Sequence, residues 1–416
     1  MWLMFGGNEV AIGDIVVGID IGTSKVCTVV GEVNSFSQVE IISTTSTVCN
    51  GIKKGKIADL EEVASSIRKT ITEAEEVANL KINSAYITMP GKHITIVQNS
   101  IFKEVKDKYA GVSVKDVQAC ITEIKDISIP DDKMLIDVVT DKFILDNGRQ
   151  VDDPVGTLCS SFTVKAQVIL ADREYVKETT HVLKKAGLEI DGLVPSMLAL
   201  RNFVLDTNEL DDNIMILDIG AGNTDIGVFE GSSFVYTNTI PLGGDNITSD
   251  IAVVLDIADN EAEKLKKQYG LALRSFIDND NDIILNTNKE EGKIIKSSEL
   301  IEIIEARVEE IFSLIAKDII SQGLKARINN VILTGLGIAN INKSDMAGKI
   351  ILNIPVKMST GRLISTIKPN FYASYALTKY VATRPFVKTV SNGIVQKSSN
   401  NVLKHLVERV KDFFYS

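Results

Sequence analysis

Two short segments of the chain carry the same residue types in the same order. Asp20-Ile21-Gly22-Thr23-Ser24-Lys25 follows the apolar run Ile15 to Ile19 and precedes Val26 to Val33, and Asp218-Ile219-Gly220-Ala221-Gly222-Asn223-Thr224-Asp225 follows Ile214 to Leu217 and precedes Ile226 to Phe229. Each reads as a β-hairpin whose tip is rich in glycine and small hydroxylated residues. Such a tip exposes consecutive backbone N–H groups that cradle phosphate oxygens. Gly22, Thr23, Ser24 and Lys25 would form one cradle, and Gly220, Ala221, Gly222, Asn223 and Thr224 the other. Asp20 and Asp218, at the strand ends, are placed to hold a hydrated Mg²⁺, which takes one or two carboxylates, phosphate oxygens and retained waters. Asp225 is a third candidate carboxylate. Lys25 adds a compact positive charge beside the phosphates. A single hairpin of this kind reads more simply as a β-turn, since Asp and Gly are ordinary turn residues. Two matching hairpins favour the chemical reading.

A third glycine-bearing turn, Gly335-Leu336-Gly337, follows the apolar run Val331 to Thr334. Glycine there lets a base or ribose lie against the backbone. A Rossmann fingerprint fails, because Asn340 takes the third glycine position and no βαβ pattern surrounds it. A Walker A sequence is absent as well. In AEKLKKQYG, Glu263, Lys266 and Lys267 share a helix face at i, i+3 and i+4, where they either contact an adenosine or form a solvated charged face. His93, His181 and His405 are too scattered for a metal cage or a nucleophile and base pair.

The last fifteen residues, VLKHLVERVKDFFYS, place Leu403, Leu406, Val407, Val410, Phe413 and Phe414 on one helical stripe. Such a stripe commonly docks on its own core. Here it follows Ser391 to Asn401, whose Ser, Asn and Gly content is that of a flexible linker, and so reads as an interfacial membrane anchor. Glu408 and Asp412 nearly offset its Lys and Arg residues, so attachment would rest on apolar insertion more than on anionic lipid.

The surrounding pattern must position these groups. Leu60 to Leu80 and Arg173 to Ala186 are spaced as lobe-covering helices. About His93 to Leu170 alternates strand-like runs, Met134 to Thr140 and Phe162 to Leu170, with one helix at Val114 to Lys125, the pattern of an inserted subdomain. Ile247 to Gly270 and Ser298 to Gly323 read as helical, and the Asp-, Asn- and Lys-rich stretch Ile277 to Lys296 between them as a surface excursion. A hairpin unit recurring in a 416-residue chain implies two lobes on one plan with a cleft between them. Forty-five Lys and Arg against 55 Asp and Glu, a net charge of −10, argue against broad adhesion to nucleic acid. Cys27, Cys49, Cys120 and Cys159 form no CxxC pair, which suits a reducing compartment. The opening MWLMFGGNEVAIGD lacks the basic and long apolar regions of a signal peptide, and no run is long enough to span a membrane.

DIGTSK at Asp20, LDIGAGNTDIGVF from Leu217, IPLGGDNITSDIA from Ile240, AEKLKKQYG from Ala262 and TGLG at Thr334 resemble the ordered signature blocks of the actin and Hsp70 superfamily in its FtsA version. GIKKGKIADLEE from Gly51, DDPVG from Asp152 and the terminal helix resemble that bacterial cell-division family too. The resemblance covers nearly the whole chain. It implies an α/β, actin-like (ribonuclease H-like) two-domain ATPase fold with an inserted α+β subdomain and a C-terminal amphipathic helix. The first actin-like domain would comprise residues 1–92 and 171–212, the insert 93–170 and the second domain 213–384, with 242–325 as its outer subdomain. A linker at 385–401 and a membrane-targeting helix at 402–416 would follow. ATP and Mg²⁺ would occupy the cleft, with Gly243, Gly244, Glu263, Lys266, Lys267, Gly335, Leu336 and Gly337 joining the two cradles, and any hydrolysis would be slow. Implied partners are the C-terminal tail of the tubulin-like FtsZ, bound by the outer subdomain, further copies in actin-like filaments, membrane lipid and other division proteins. The implied location is the cytoplasmic face of the membrane at the division site. Two residues depart from the family: Leu336 replaces a glycine of the usual TGGG turn and crowds the adenosine, and Asn223 stands where Thr is common and weakens contact with the γ-phosphate. A pilus-assembly adaptor of the PilM type and a small-molecule kinase are the alternatives on the same fold. The first of those families lacks the linker and terminal helix; the second needs a general base and an acceptor pocket that the residues do not assign.

Overall fold

A computed structural model describes residues 13–36, 38–53, 55–106, 109–286, 291–359 and 367–383. The expected linker at 385–401 and helix at 402–416, with the membrane-facing residues Leu403, Leu406, Val407, Val410, Phe413 and Phe414, lie outside them.

Two five-stranded sheets repeat one plan. The first runs Glu189–Pro195, Ser84–Met89, Ile15–Ile21, Lys25–Val33, Val39–Val48. The second runs Val356–Met358, Asn330–Thr334, Asn213–Ile219, Thr224–Glu230, Ser233–Ile240. In each, the central strand pairs antiparallel with its hairpin partner and parallel with the strand on its other side. The repeat is also one of register, with Asp20 opposite Cys27 and Asp218 opposite Asp225, two residues before the tip.

The central strands are continuous apolar runs because both of their faces are covered. Along Asn213–Ile219 the alternation divides two cores. Ile214 and Ile216 join the core of the first sheet, while Met215, Leu217 and Ile219 face helices Gly244–Leu255 and Ser297–Ser321. Close approach fixes the layers. A Cβ at Gly18 would come within 2.7 Å of the Ser374 carbonyl of helix Tyr372–Thr383, and one at Gly227 within 2.6 Å of Met197 in helix Ser196–Val204.

Helix Leu60–Ala78 begins where Asp59 accepts from the Glu62 N–H and ends at Asn79 in the left-handed region. Helix Arg173–Ala186 ends at Gly187, φ 84°, a glycine-type C-cap. The stretch from Ile247 to Gly270 is two helices, Gly244–Leu255 and Asp259–Tyr269, parted at left-handed Asp256.

Between strands Ser84–Met89 and Glu189–Pro195 of the first sheet the chain forms a four-stranded antiparallel sheet in the order Ile94–Glu104, Ser161–Asp172, Lys133–Leu145, Gln150–Val151. Helix Val114–Lys125, started by a Ser113/Asp116 capping box, packs on it around a separate core that includes Val117, Phe143 and Phe162. The stretch Ile277 to Lys296 departs from the surface excursion expected of it. It contains a two-stranded hairpin, Asp282–Asn286 with Glu291–Lys296, in which Ile283, Leu285 and Ile295 are buried while Ile284 and Ile294 face solvent. Its charged residues conceal an alternating apolar face.

Candidate functional site

Both hairpin tips are closed by a backbone bond across the turn, Gly22 N–H to the Lys25 carbonyl at 3.0 Å and Gly220 N–H to the Asn223 carbonyl at 2.9 Å. The tips meet. The Asn223 side-chain amide donates to Thr23 Oγ1 at 3.1 Å, and a Cβ on Gly222 would lie 2.6 Å from the Thr23 methyl. Gly22, Thr23, Gly220, Gly222 and Asn223 thus surround one point, and the fold brings Lys25 close enough for its charge to act on Asp20. Ser24 contributes its carbonyl to the Cys49 N–H, and Thr224 turns its hydroxyl away to the Leu242 carbonyl at 2.8 Å. Thr224 is therefore a strut of the tip, its side chain committed behind the cradle.

The remaining glycines also make close backbone contacts of their own. Gly337 donates to the Ile219 carbonyl at 2.8 Å, and a Cβ on it would fall 2.0 Å from the Gly220 carbonyl. Gly244 and Asp245 donate to the carbonyls of Gly220 and Ala221 at 2.9 and 2.7 Å, and a Cβ on Gly243 would lie 2.5 Å from the Ala221 carbonyl. Gly335 sits at φ 101° against Ile219 and the Asp218 carboxylate. These residues interlock backbone with backbone, and so hold the second tip open toward the first. Leu336 remains 40% exposed beside them.

Glu263, Lys266 and Lys267 fall together as the helix spacing predicts, and the geometry separates their roles. Lys266 is buried, with its ammonium on Glu263 at 2.6 Å, Thr248 Oγ1 at 2.7 Å and the Gly244 carbonyl at 2.9 Å. It pins the start of helix Gly244–Leu255, and with it the second tip. Burial alone would raise the Glu263 carboxyl, but bonds from Lys266 and Thr248 hold it below its usual range. Lys267 is exposed beyond the pair.

The three aspartates converge. Asp20 accepts from Thr88 Oγ1 at 2.6 Å, and Asp225 from Thr239 Oγ1 and from the Gly91 N–H at 3.3 Å. Burial, with Asp225 and Asp20 facing it, pushes the Asp218 carboxyl up to about 7. Burial likewise takes Asp225 to about 6 despite the Thr239 and Gly91 bonds, and raises Asp20 despite Thr88 and Lys25. Carboxylates so placed lack positive charge. A hydrated divalent cation shared with phosphate oxygens suits that donor set. Among the described residues no group of three or more acidic, His or Cys side chains is arranged to hold a metal ion by itself.

Sequence reasoning missed Thr88, Gly91, Lys92 and Thr239. Thr88, Gly91 and Lys92 come from a strand and turn far away in the chain, and Thr239 from the strand beside Asp225. Lys92 is half-buried, and its amino group is held below its usual range by burial and by Lys56, against the pull of Asp225 and Asp172. His93 is structural, as its isolation suggested: it stacks on Tyr175 at 3.9 Å and bonds Asp172 at 2.8 Å.

The family model for cell division protein FtsA matches residues 215–376, and that for the SHS2 domain inserted in FtsA matches residues 91–170. The chain is 30% identical to the cell division protein FtsA of Escherichia coli K12 over 330 residues, covering 77% of this chain and 78% of that one. It is 29% identical to the FtsA of Bacillus subtilis over 370 residues, covering 88% and 83%. Among solved structures, the PilM-PilN type IV pilus biogenesis complex aligns at TM-score 0.57 and 16% identity over 89% of this chain and 99% of that one. MreB 5 of Spiroplasma citri bound to AMPPNP aligns at 0.51 and 14% over 91% and 99%, and the MamK double helical filament at 0.53 and 11% over 89% and 99%. At those identities the solved structures speak to fold alone, and the fold is actin-like.

Proposed function

Since this chain belongs to the FtsA family of cell-division proteins, we propose that it binds ATP with Mg²⁺ in its cleft and, in that state, assembles into filaments that tether FtsZ to the membrane. The observation that carries the nucleotide reading is the meeting of two glycine-rich tips, joined by Asn223 and Thr23, in front of three carboxylates with raised pKa values. Backbone N–H groups of residues 23–25 and 221–224 bind the phosphates, those of Gly22 and Gly220 closing the turns behind them, and Lys25 adds charge. Asp20 and Asp218 hold the metal, which when bound neutralises phosphate charge. Asp225, fixed by Thr239 and Gly91, orders the far wall. Gly243, Gly244, Gly335, Leu336 and Gly337 border the adenosine, with Glu263, Lys266 and Lys267 on the helix that Lys266 ties to Gly244. Asn223 already bonds Thr23, so it tightens the tips as much as it contacts a γ-phosphate, and hydrolysis in this reading is slow. Isothermal titration of the full chain with Mg-ATP tests it: saturable heat is expected, and its absence at millimolar nucleotide would refute the site.

The tether rests on the stripe Leu403, Leu406, Val407, Val410, Phe413 and Phe414 at the end of the chain, a spacing suited to lying in a lipid interface. None of the described helices is long and apolar enough to cross a membrane, so attachment through that stripe is the physical route proposed. In this reading residues 242–325, the outer subdomain expected from sequence, offer the surface for the FtsZ tail, while helix Tyr372–Thr383 packs in the core of the first sheet. The solved MamK structure is a double helical filament and that of MreB 5 holds AMPPNP, which supports self-association and nucleotide binding on this fold. The location is the cytoplasmic face of the membrane at the division site, where other division proteins join.

A further inference from the structure

Six consecutive residues leave the first sheet, cross the cleft wall and enter the inserted sheet, bonding groups of both lobes as they pass. Thr88 Oγ1 donates to Asp20 at 2.6 Å, the Gly91 N–H to Asp225 at 3.3 Å and the Lys92 N–H to Thr239 Oγ1 at 3.1 Å. His93 Nδ1 lies 2.8 Å from Asp172, the last residue of inserted strand Ser161–Asp172. Asp172 also takes the ammonium of Lys133, the first residue of inserted strand Lys133–Leu145. The turn has no slack. A Cβ at Gly91 would lie 2.3 Å from Thr237 Oγ1 and under 3 Å from the Asn238 backbone. A displacement of this backbone at the cleft is therefore passed to two strands of the inserted sheet through His93 and Asp172.

The Lys92 side chain stands between those anchors. Its amino group lies beside Gly55, at the tip of the hairpin Ile52–Lys53 with Lys56–Ile57. A methyl at position 55 would be 2.7 Å from Lys92 Nζ and 3.1 Å from Asn223 Nδ2. The ammonium and the Asn223 amide therefore flank one small volume, at the place where Asn223 bridges to Thr23 and the two tips converge. Asn223 Oδ1 is buried there without a partner among the described residues, a polar atom suited to an ordered water or hydroxyl of a bound group. A compact ammonium at the convergence of two phosphate cradles suits the outermost phosphate oxygens.

We propose that Lys92 is a further nucleotide-binding residue, contacting the terminal phosphate of a triphosphate, and that the Gly91–His93 turn carries that contact to the inserted sheet. The proposal rests on the reading of the cleft as an ATP site. Calorimetric titration of the full chain and of its Lys92→Met and Lys92→Arg variants, with Mg-ATP and separately with Mg-ADP, tests the first half. Lys92→Met should weaken Mg-ATP at least ~10-fold, the loss of one charge-assisted hydrogen bond, and leave Mg-ADP within about twofold. Lys92→Arg should keep most of the preference for ATP. Equal losses for both nucleotides in Lys92→Met, or no loss, would overturn the assignment. Failure of the unaltered chain to bind either nucleotide would instead remove the cleft reading beneath it. Amide exchange tests the second half: strands Ile94–Glu104 and Ser161–Asp172 should be more protected with ATP than with ADP. His93→Phe keeps the stack on Tyr175 and loses the Asp172 bond, so it should bind ATP as before and lose that difference. An unchanged difference in His93→Phe would overturn the relay.

Discussion

Replacing Asp218 with asparagine should make the nucleotide-free protein more stable at neutral pH while weakening the proposed binding of Mg-ATP. Asp218 is pushed from 3.8 up to about 7 by burial and by the facing Asp225 and Asp20. A folded-state pKa above the unfolded one means that the folded chain binds the proton more tightly. Stability contributed by that group is full below about pH 4, declines as pH rises toward about 7 and is absent above it. The rise from 3.8 to about 7, at ~1.4 kcal/mol per tenfold change in proton affinity, sets a ceiling near ~4 kcal/mol. Asp20 and Asp225 share the titration and the cleft admits solvent, so roughly 2 kcal/mol is the working expectation. Asparagine keeps the shape and never ionises. Thermal melts of the unaltered chain and Asp218→Asn, in EDTA without nucleotide at pH 5 and pH 8, measure it. The variant should melt several degrees higher at pH 8 and close to the unaltered chain at pH 5. A variant that melts lower at pH 8, or a gain that is the same at both pH values, would refute the argument.

Gly337→Ala places a methyl 2.0 Å from the Gly220 carbonyl and so must part the third turn from the second tip. Urea unfolding should show a loss of about 1–3 kcal/mol, and Mg-ATP affinity should fall at least ~10-fold. Lys266→Met removes a buried ammonium from Glu263 and Gly244 and should destabilise by about 2–3 kcal/mol, whereas Lys267→Met at an exposed position should stay within about 0.5 kcal/mol. Equal effects of the two in urea would contradict the division of roles. Burial holds His93 below 6.5 against the pull of Asp172, so the unfolded chain takes up that proton first and stability is lost as pH falls below about 6.5. His93→Phe should flatten that part of the stability profile between pH 7 and pH 5.

The paired hairpins were legible because their signal is local: an apolar run buried on both faces, an Asp two residues before the tip, and small residues at the turn. Helix Arg173–Ala186 was equally legible, since Gly187 marks its end in the chain itself. The rest of the site depends on long-range closure. Thr88, Gly91 and the Lys92 N–H reach their partners across 68, 134 and 147 residues, and no pattern of spacing encodes such contacts. The glycines at 243, 244, 335 and 337 were legible as places of close approach, but not what approaches, because only the fold brings the Gly220 carbonyl to them. Lys266 shows the limit of periodicity: it shares a charged helix face with exposed Lys267, yet its own ammonium turns inward on Gly244. In Ile277 to Lys296, composition outweighed alternation, and the hairpin that buries Leu285 was hidden by its own Asp and Lys residues.

The central claim, a tether governed by nucleotide, is met most directly by vesicle co-sedimentation of the full chain and of a truncation ending at Asn400, each with and without Mg-ATP. The account predicts that only the full chain pellets with the vesicles, and more strongly with ATP. Equal pelleting of the truncation, or none by either protein, would contradict it.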